Sequence, residues 1–519
     1  MRTRLAFAAL IIVSLVRVAA THRVFSATAD EPVHIAAGYD WLTTGTYLLD
    51  PEHPPLARAL FGLGLRAGGV VLPPPSEWHS LQTIWQASMR GTELLWSNGA
   101  YIRNLARARL GNLVFFFAAL LGVAALARRA FGDGVALLAV ALFGSLPPVL
   151  AHAGLATTDM AVTATVPLAI LALKRWLEQP SLGRAIVLGV AIGAGLATKM
   201  SFIPFFGVAA IVVFVVQRRR IRIVQLLLAA AIAMLSVWSV YRFEFGTMAQ
   251  VSPALRSTIG ANVPIPAPTY FAGLVYVKVH AERGHNNFLL GRHSDRGWWY
   301  YFPLAILFKT PLALLILFGA GVYRSRDKEP RELVLIAAAM LAVVLPSTLN
   351  IGVRHILVIY PFVAIIAAYG AAEMWQDMPK KAIVVALLAS FFIGTTLAHP
   401  DYLAWFNELA GRHPENVLND SNLDWGQDVL RLAKVAREEK IGSLSILIFG
   451  SNDLDRLGLP PHQTLQPRVP VQGWIAVSET ALCFAAPGDY DWLTSRKPVR
   501  HVGKSIRLYF WSAAARPPL

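Results

Sequence analysis

A chain of 519 residues that is 55% hydrophobic and only 15% charged, with mean hydropathy +0.50, carries more apolar surface than soluble cores bury. Most of it must face lipid. The net charge of +16 raises nucleic acid as a partner, but Arg128-Arg129, Lys174-Arg175, Arg218-Arg219-Arg220 and Lys380-Lys381 each end an apolar run, the placement of cytoplasmic anchors, so no nucleic-acid partner is expected.

Crossing about 30 Å of hydrocarbon takes ~20 helical residues. Candidate spans fall near 5–24, 109–127, 134–152, 158–173, 184–200, 202–216, 221–241, 303–323, 332–349, 354–371 and 381–398, about eleven in all. With Met1-Arg2-Thr3-Arg4 cytoplasmic, every strongly basic short loop falls inside and the C-terminus falls outside. The first segment also has the features of a cleavable signal peptide: a basic start, an apolar stretch Leu5 to Val16, and Ala19-Ala20.

Residues 25–108, 242–302 and everything after His399 then share the extracytoplasmic face. Within the first loop, Leu56 to Leu72 is broken by Arg58, Arg66 and Gly68-Gly69 and suits a helix lying in the interface. The tail combines a polar helical run, Gln427 to Lys440, with strand-like Leu444 to Phe449 and Trp474 to Val477. The expected fold is an all-α polytopic membrane bundle over 1–399, followed by a small α+β domain over 400–519. Cys483 is the only cysteine, which excludes an intramolecular disulfide and a thiolate metal cluster.

Charges near apolar runs are costly, so each needs a reason. Asp30-Glu31, followed by Pro32, His34 and Gly38, is either a helix start capped by Asp30 or a pair of carboxylates, one poised as a general base. Asp50-Pro51-Glu52-His53-Pro54-Pro55-Leu56 follows. Asp159 marks a span start on the same face, as a cap or as a second site carboxylate. Lys199, at an outer boundary, either snorkels to the surface or meets a phosphate.

The second loop holds His280, Arg283, His285, Arg292, His293 and Arg296 before the aromatic run Trp298 to Phe302. The arginines suit bidentate phosphate binding, and the histidines with Glu52 suit a divalent metal. The aromatic run reads as an interfacial belt without chemistry. Gly352-Val353-Arg354-His355 offers a further phosphate clamp.

In their order these motifs resemble the membrane-embedded C-type glycosyltransferases that use a lipid carrier, above all the protein O-mannosyltransferases and aminoarabinose transferases, over roughly residues 1–430. Asp30-Glu31 is similar to the family's acidic pair in the first outer loop, and Glu52-His53-Pro54-Pro55-Leu56 to its acidic-Xaa-Pro-Pro-Leu element. Asp159, Thr198-Lys199 and the Tyr300 to Pro303 span entry are likewise similar to family features. This resemblance implies transfer of a sugar from a polyprenyl-phosphate carrier to a protein, glycan or lipid acceptor outside a bacterial-type inner membrane. It implies Asp30 as catalytic base, Glu31 and Asp159 as supporting carboxylates, and Lys199, Arg283, Arg292 and Arg354 as donor-phosphate ligands. It also implies Glu52 and His280 as ligands of a zinc, magnesium or manganese ion. His53 stands where the family has lysine.

The tail block Asp420-Ser421-Asn422-Leu423-Asp424-Trp425-Gly426-Gln427-Asp428 suits sugar stacking and hydrogen bonding, or else a helix start capped by Asp424. Rival functions are a flippase of lipid-linked sugars and a membrane-anchored glycan-binding protein. The flippase predicts charges at span centres and paired broken helices, whereas these charges gather at span ends.

Overall fold

The apolar runs form helices in the computed structural model, which describes residues 2–73 and 82–511. Five described helices are long and apolar enough to cross a membrane: Tyr101–Phe143, Asp159–Glu178, Ile223–Val240, Val353–Trp375 and Met378–Leu397. A bent pair, Tyr301–Lys309 with Leu312–Arg324, makes a sixth if read as one span, and Leu182–Leu196 and Phe202–Gln217 are shorter apolar helices.

Differences from the expected spans have local causes. The helical stretch Tyr101–Phe143 breaks at Gly132, where φ is 83° and ψ −175°, in the gap between predicted spans 109–127 and 134–152, but the second of these ends at Phe143 and its remainder forms a separate short helix, Pro147–Ala153. Pro147 and Pro148 open that short helix because their missing N–H groups would have no partner there in any case. The run 303–323 turns through 117° beside Pro311, which cannot donate to the preceding helix. The interfacial stretch becomes the helix Pro55–Ala67, and packs against Glu31–Thr44 and Tyr101–Phe143.

Contact between Glu31–Thr44 and Pro55–Ala67 depends on small residues. A methyl on Gly38 would lie 1.8 Å from the Arg58 carbonyl oxygen, and one on Gly62 would lie 2.4 Å from the Tyr39 nitrogen. Two backbones cannot yield as a side chain does, so Gly38→Ala is expected to destabilise the protein by about 1–3 kcal/mol. A thermal-shift measurement on detergent-purified protein tests this, and an unchanged midpoint contradicts it.

The basic connections meet at one end of the bundle. Lys174 bridges Glu329 at 2.7 Å and Glu332 at 2.5 Å, Gln217 reaches Glu332 at 2.6 Å, Arg129 pairs with Glu178, and Phe131 stacks on Tyr369. Asp159 opens the same helix whose last turns carry Lys174 and Glu178, so at 1.5 Å per residue it sits about 22–28 Å from them, at the other end. Glu31, Lys199, Arg354 and the tail gather at that second end.

The tail carries a five-stranded sheet in the order His462–Thr464, Leu444–Leu447, Gly473–Ser478, Ile506–Trp511, Arg500–Val502. Leu444–Leu447 runs parallel to its two neighbours, and the remaining pairings are antiparallel. The polar run forms Val429–Glu438 with Asp428, not Asp424, at its start. Buried Leu418, Trp425, Val429 and Leu444 belong to one apolar core with the bundle helices.

Candidate active site

Neighbouring carboxylates in sequence part company in space. Asp30 occupies the cap position of Glu31–Thr44 but makes no side-chain capping bond. Its Oδ2 accepts from Arg354 Nη1 at 2.7 Å, and its Oδ1 has no hydrogen-bond partner among the described residues. Glu31 points inward and is fully buried. It accepts from Arg109 Nε and Nη2 at 2.8 and 2.7 Å, from the Ala156 N–H at 2.8 Å and from the Thr28 N–H at 2.9 Å. Burial pushes its carboxyl upward, but Arg109 and these donors outweigh burial and hold it below the ordinary range. Glu31, expected beside Asp30 in catalysis, thus joins the first loop to Tyr101–Phe143 and to the turn before Asp159.

Asp159 neither caps its helix through its side chain nor stands alone. Its Oδ1 meets Lys199 Nζ at 2.5 Å, with 1% and 11% of the two side chains exposed. Lys199 therefore does not snorkel; it lies in the turn between Leu182–Leu196 and Phe202–Gln217. Arg354 stands within electrostatic reach of both Asp30 and Asp159, so two cations face two carboxylates. Of the two carboxylates Asp30 is the open one: 35% of its side chain is exposed.

Beside this quartet lie two imidazoles, His34 buried and His53 half-buried. His53 Nδ1 meets the Thr158 hydroxyl at 3.1 Å, and its ring stands edge-on to His34, centroids 5.0 Å apart. Arg58 donates from Nε to His34 Nδ1 at 2.9 Å and from Nη1 to the Tyr47 hydroxyl at 2.9 Å, and it pairs with Asp50. Burial first, then the Arg58 charge, pushes both histidines well below their ordinary range and keeps them neutral.

Glu52 and His280 meet across the two loops, Oε2 to Nδ1 at 2.9 Å. The hydrogen bond to Glu52 raises the His280 imidazole against the opposing effect of burial. A catalytic zinc site takes about three protein ligands. Among the described residues no group of three His, Cys, Asp or Glu side chains converges to hold a metal. The pair is thus an interloop ion pair that does not by itself complete a metal site. Arg283 and Arg292, expected at the donor phosphate, are exposed and make no ion pair with the quartet.

Residues 100–255 match the family model described as dolichyl-phosphate-mannose-protein mannosyltransferase. The structure is similar to that of ArnT from Cupriavidus metallidurans bound to undecaprenyl phosphate, with TM-score 0.52 and 13% identity over 99% of each chain. The apo form of that protein gives TM-score 0.51 and 15% identity over 96% of this chain and 97% of that one. The oligosaccharyltransferase of Archaeoglobus fulgidus tethered to an acceptor peptide gives TM-score 0.51 and 11% identity over 88% of this chain and 63% of that one. The fold is similar to those of ArnT and of the oligosaccharyltransferase. No curated protein matches the sequence.

Several residues of this site escape sequence reasoning. Arg109 anchors Glu31, and the signal for it is an arginine at the start of an apolar run, where a charge must find a partner. Arg58 likewise breaks an amphipathic pattern. His152 gives no such signal, because a lone histidine beside apolar residues is usually core. Even so, His152 Nδ1, His355 Nε2, Thr157 Oγ1 and Arg354 Nε are all buried without a hydrogen-bond partner among the described residues. Arg354 also lies over the Trp425 ring, 4.2 Å from its centroid. The site-facing end therefore carries a set of unused donors and acceptors, an arrangement suited to a polar ligand.

Proposed function

We propose that this protein transfers a sugar from a polyprenyl-phosphate carrier to an extracytoplasmic acceptor, with inversion, and that Asp30 is the general base. The observation that carries this reading is the unequal exposure of the charged quartet. Asp30 keeps one carboxylate oxygen without a partner among the described residues, at the open edge, while Asp159 is spent on Lys199. The reading places the quartet outside the membrane, in an integral protein with about eleven spans, its N-terminus cytoplasmic and its C-terminus extracytoplasmic.

In the proposed step Asp30 Oδ1 takes the proton of an acceptor hydroxyl as its oxygen attacks the anomeric carbon. The bond from that carbon to the carrier phosphate breaks on the opposite face, and polyprenyl phosphate leaves with the electron pair. A single displacement inverts the centre. Lys199 and Arg354 are the cations placed to hold the phosphate as charge develops, and pairing with Asp159 and Asp30 orients them beforehand. Neutral His34 and His53 add hydrogen-bonding capacity without repelling the cations. Glu52 and His280 tie the loops around the site, and no step is assigned to a metal.

A transferase is favoured over a flippase because the ionisable residues gather at the two ends of the bundle rather than at span centres, and one end includes an open carboxylate. Purified protein in lipid nanodiscs, supplied with polyprenyl-phosphate hexoses and pentoses and with extracts of envelope protein, glycan and lipid, should yield a glycosylated product and free polyprenyl phosphate by mass spectrometry. A strain lacking the gene should accumulate the lipid-linked sugar. Absence of both outcomes refutes the transferase reading.

A further inference from the structure

The tail enters the quartet from the side, and its loop 417–429 is buried throughout. Part of that loop grips the turn that carries Arg354. Asn422 Oδ1 accepts from the Val353 N–H at 2.9 Å, and the Ser421 hydroxyl donates to the Ile351 carbonyl at 2.6 Å. Another part grips the turn that carries Asp30: the Ala29 N–H donates to the Trp425 carbonyl, and the Ser26 N–H to the Gln427 carbonyl, each at 3.0 Å. The loop is itself held by Lys309, which donates to the carbonyls of Leu403 at 2.8 Å and Asn422 at 2.7 Å and also to that of Trp405.

Two side chains of this loop bear on Arg354, one by contact and one through its charge. Trp425 lies under its guanidinium, 4.2 Å from ring centroid to Cζ. Asp420 stands within electrostatic reach of both Arg354 and Asp30. It is held at φ +56°, a left-handed backbone that non-glycine residues seldom adopt, in a buried position. Its Oδ1 accepts from the Ser421 N–H at 2.5 Å, and its other oxygen has no partner among the described residues. Arg354 in turn spends Nη1 on Asp30, while its buried Nε has no partner.

We propose that Asp420 and Trp425 are positioning residues for Arg354: the indole carries the guanidinium plane, and the Asp420 carboxylate offers a second counter-charge. Arg354 can then turn unpaired N–H donors to the carrier phosphate while Asp30 is freed for the acceptor. The tail is in this view a wall of the active site rather than an appended glycan-binding module. This rests on the transferase reading for its catalytic consequence, but not for its binding consequence.

The test uses the full chain in nanodiscs. Trp425→Ala should weaken binding of polyprenyl phosphate alone, and raise the donor KM, by about tenfold, whereas Trp425→Phe restores most of the loss because a ring face remains. Asp420→Asn suits the left-handed backbone and removes only the charge. It should lower kcat by about tenfold, since Arg354 then stays on Asp30, with donor KM changed less than about threefold. A purely structural loop would lower thermal stability and active fraction in every variant without separating KM from kcat. Equal polyprenyl-phosphate affinity in wild type, Trp425→Ala and Trp425→Phe overturns the role of Trp425. Wild-type kcat in folded Asp420→Asn overturns that of Asp420. If wild type transfers no sugar, the transferase reading fails by itself, and the polyprenyl-phosphate affinities still decide the inference about Trp425.

Discussion

Asp30→Asn is expected to lower sugar transfer by about 10²–10⁴-fold with folding and membrane insertion intact. Asparagine keeps the size of the side chain, and its amide oxygen can still accept from Arg354 Nη1, the one hydrogen bond the carboxylate makes among the described residues. The amide has no oxygen able to take up a proton at neutral pH, so the attacking hydroxyl loses its base. Because Asp30 makes no capping bond and is partly exposed, little stability is at stake. Product formation by mass spectrometry, alongside thermal midpoints, separates the two effects. Near wild-type transfer by this variant removes Asp30 from the chemistry.

Glu31→Ala should act in the opposite sense, through stability. Its partner Arg109 is fully buried, and removing the carboxylate leaves an unpaired guanidinium together with the Ala156 and Thr28 N–H groups. Breaking a buried pair from one side costs about 3–5 kcal/mol, enough to cut the yield of folded protein sharply. The acid dependence follows from the lowered carboxyl of Glu31, whose ordinary value is 4.5. A carboxyl lowered in the folded state adds stability that is present above 4.5 and is lost as pH falls through the lower folded value. Glu31→Gln should therefore be less stable than wild type near neutrality and show a weaker loss on acidification, read from thermal midpoints between neutral and acid pH. Equal midpoints for Glu31→Ala and wild type would mean that the pair is dispensable.

These two adjacent residues show how far sequence reasoning reaches. Two carboxylates just past an apolar run announce a site, because charge beside lipid is expensive. Which one is open depends on Arg109, 78 positions away from Glu31, and on Arg354, 324 positions away from Asp30. No local pattern encodes such pairings. The same holds for Asp159 and Lys199, separated by 40 positions, whose individual roles as cap and snorkelling cation vanish once they meet. Interruptions of the spans were hidden for a different reason. Hydropathy averages over a window, so Pro147-Pro148 and Pro311 barely lower the mean even though each breaks or bends the helix path.

Composition by itself determined that this chain must bury most of its surface in lipid, and the positions of its basic residues divided it into two ends, because apolar length and charge placement are properties of short segments. The order of the acidic and prolyl motifs carried the family resemblance. Only the tertiary structure decided that Glu31 is a buried partner of Arg109 and Asp30 an open carboxylate, that Glu52 reaches His280, and that Trp425 of the tail lies beneath Arg354. Those facts are distances between residues far apart in the chain, and packing sets such distances where local preference is silent.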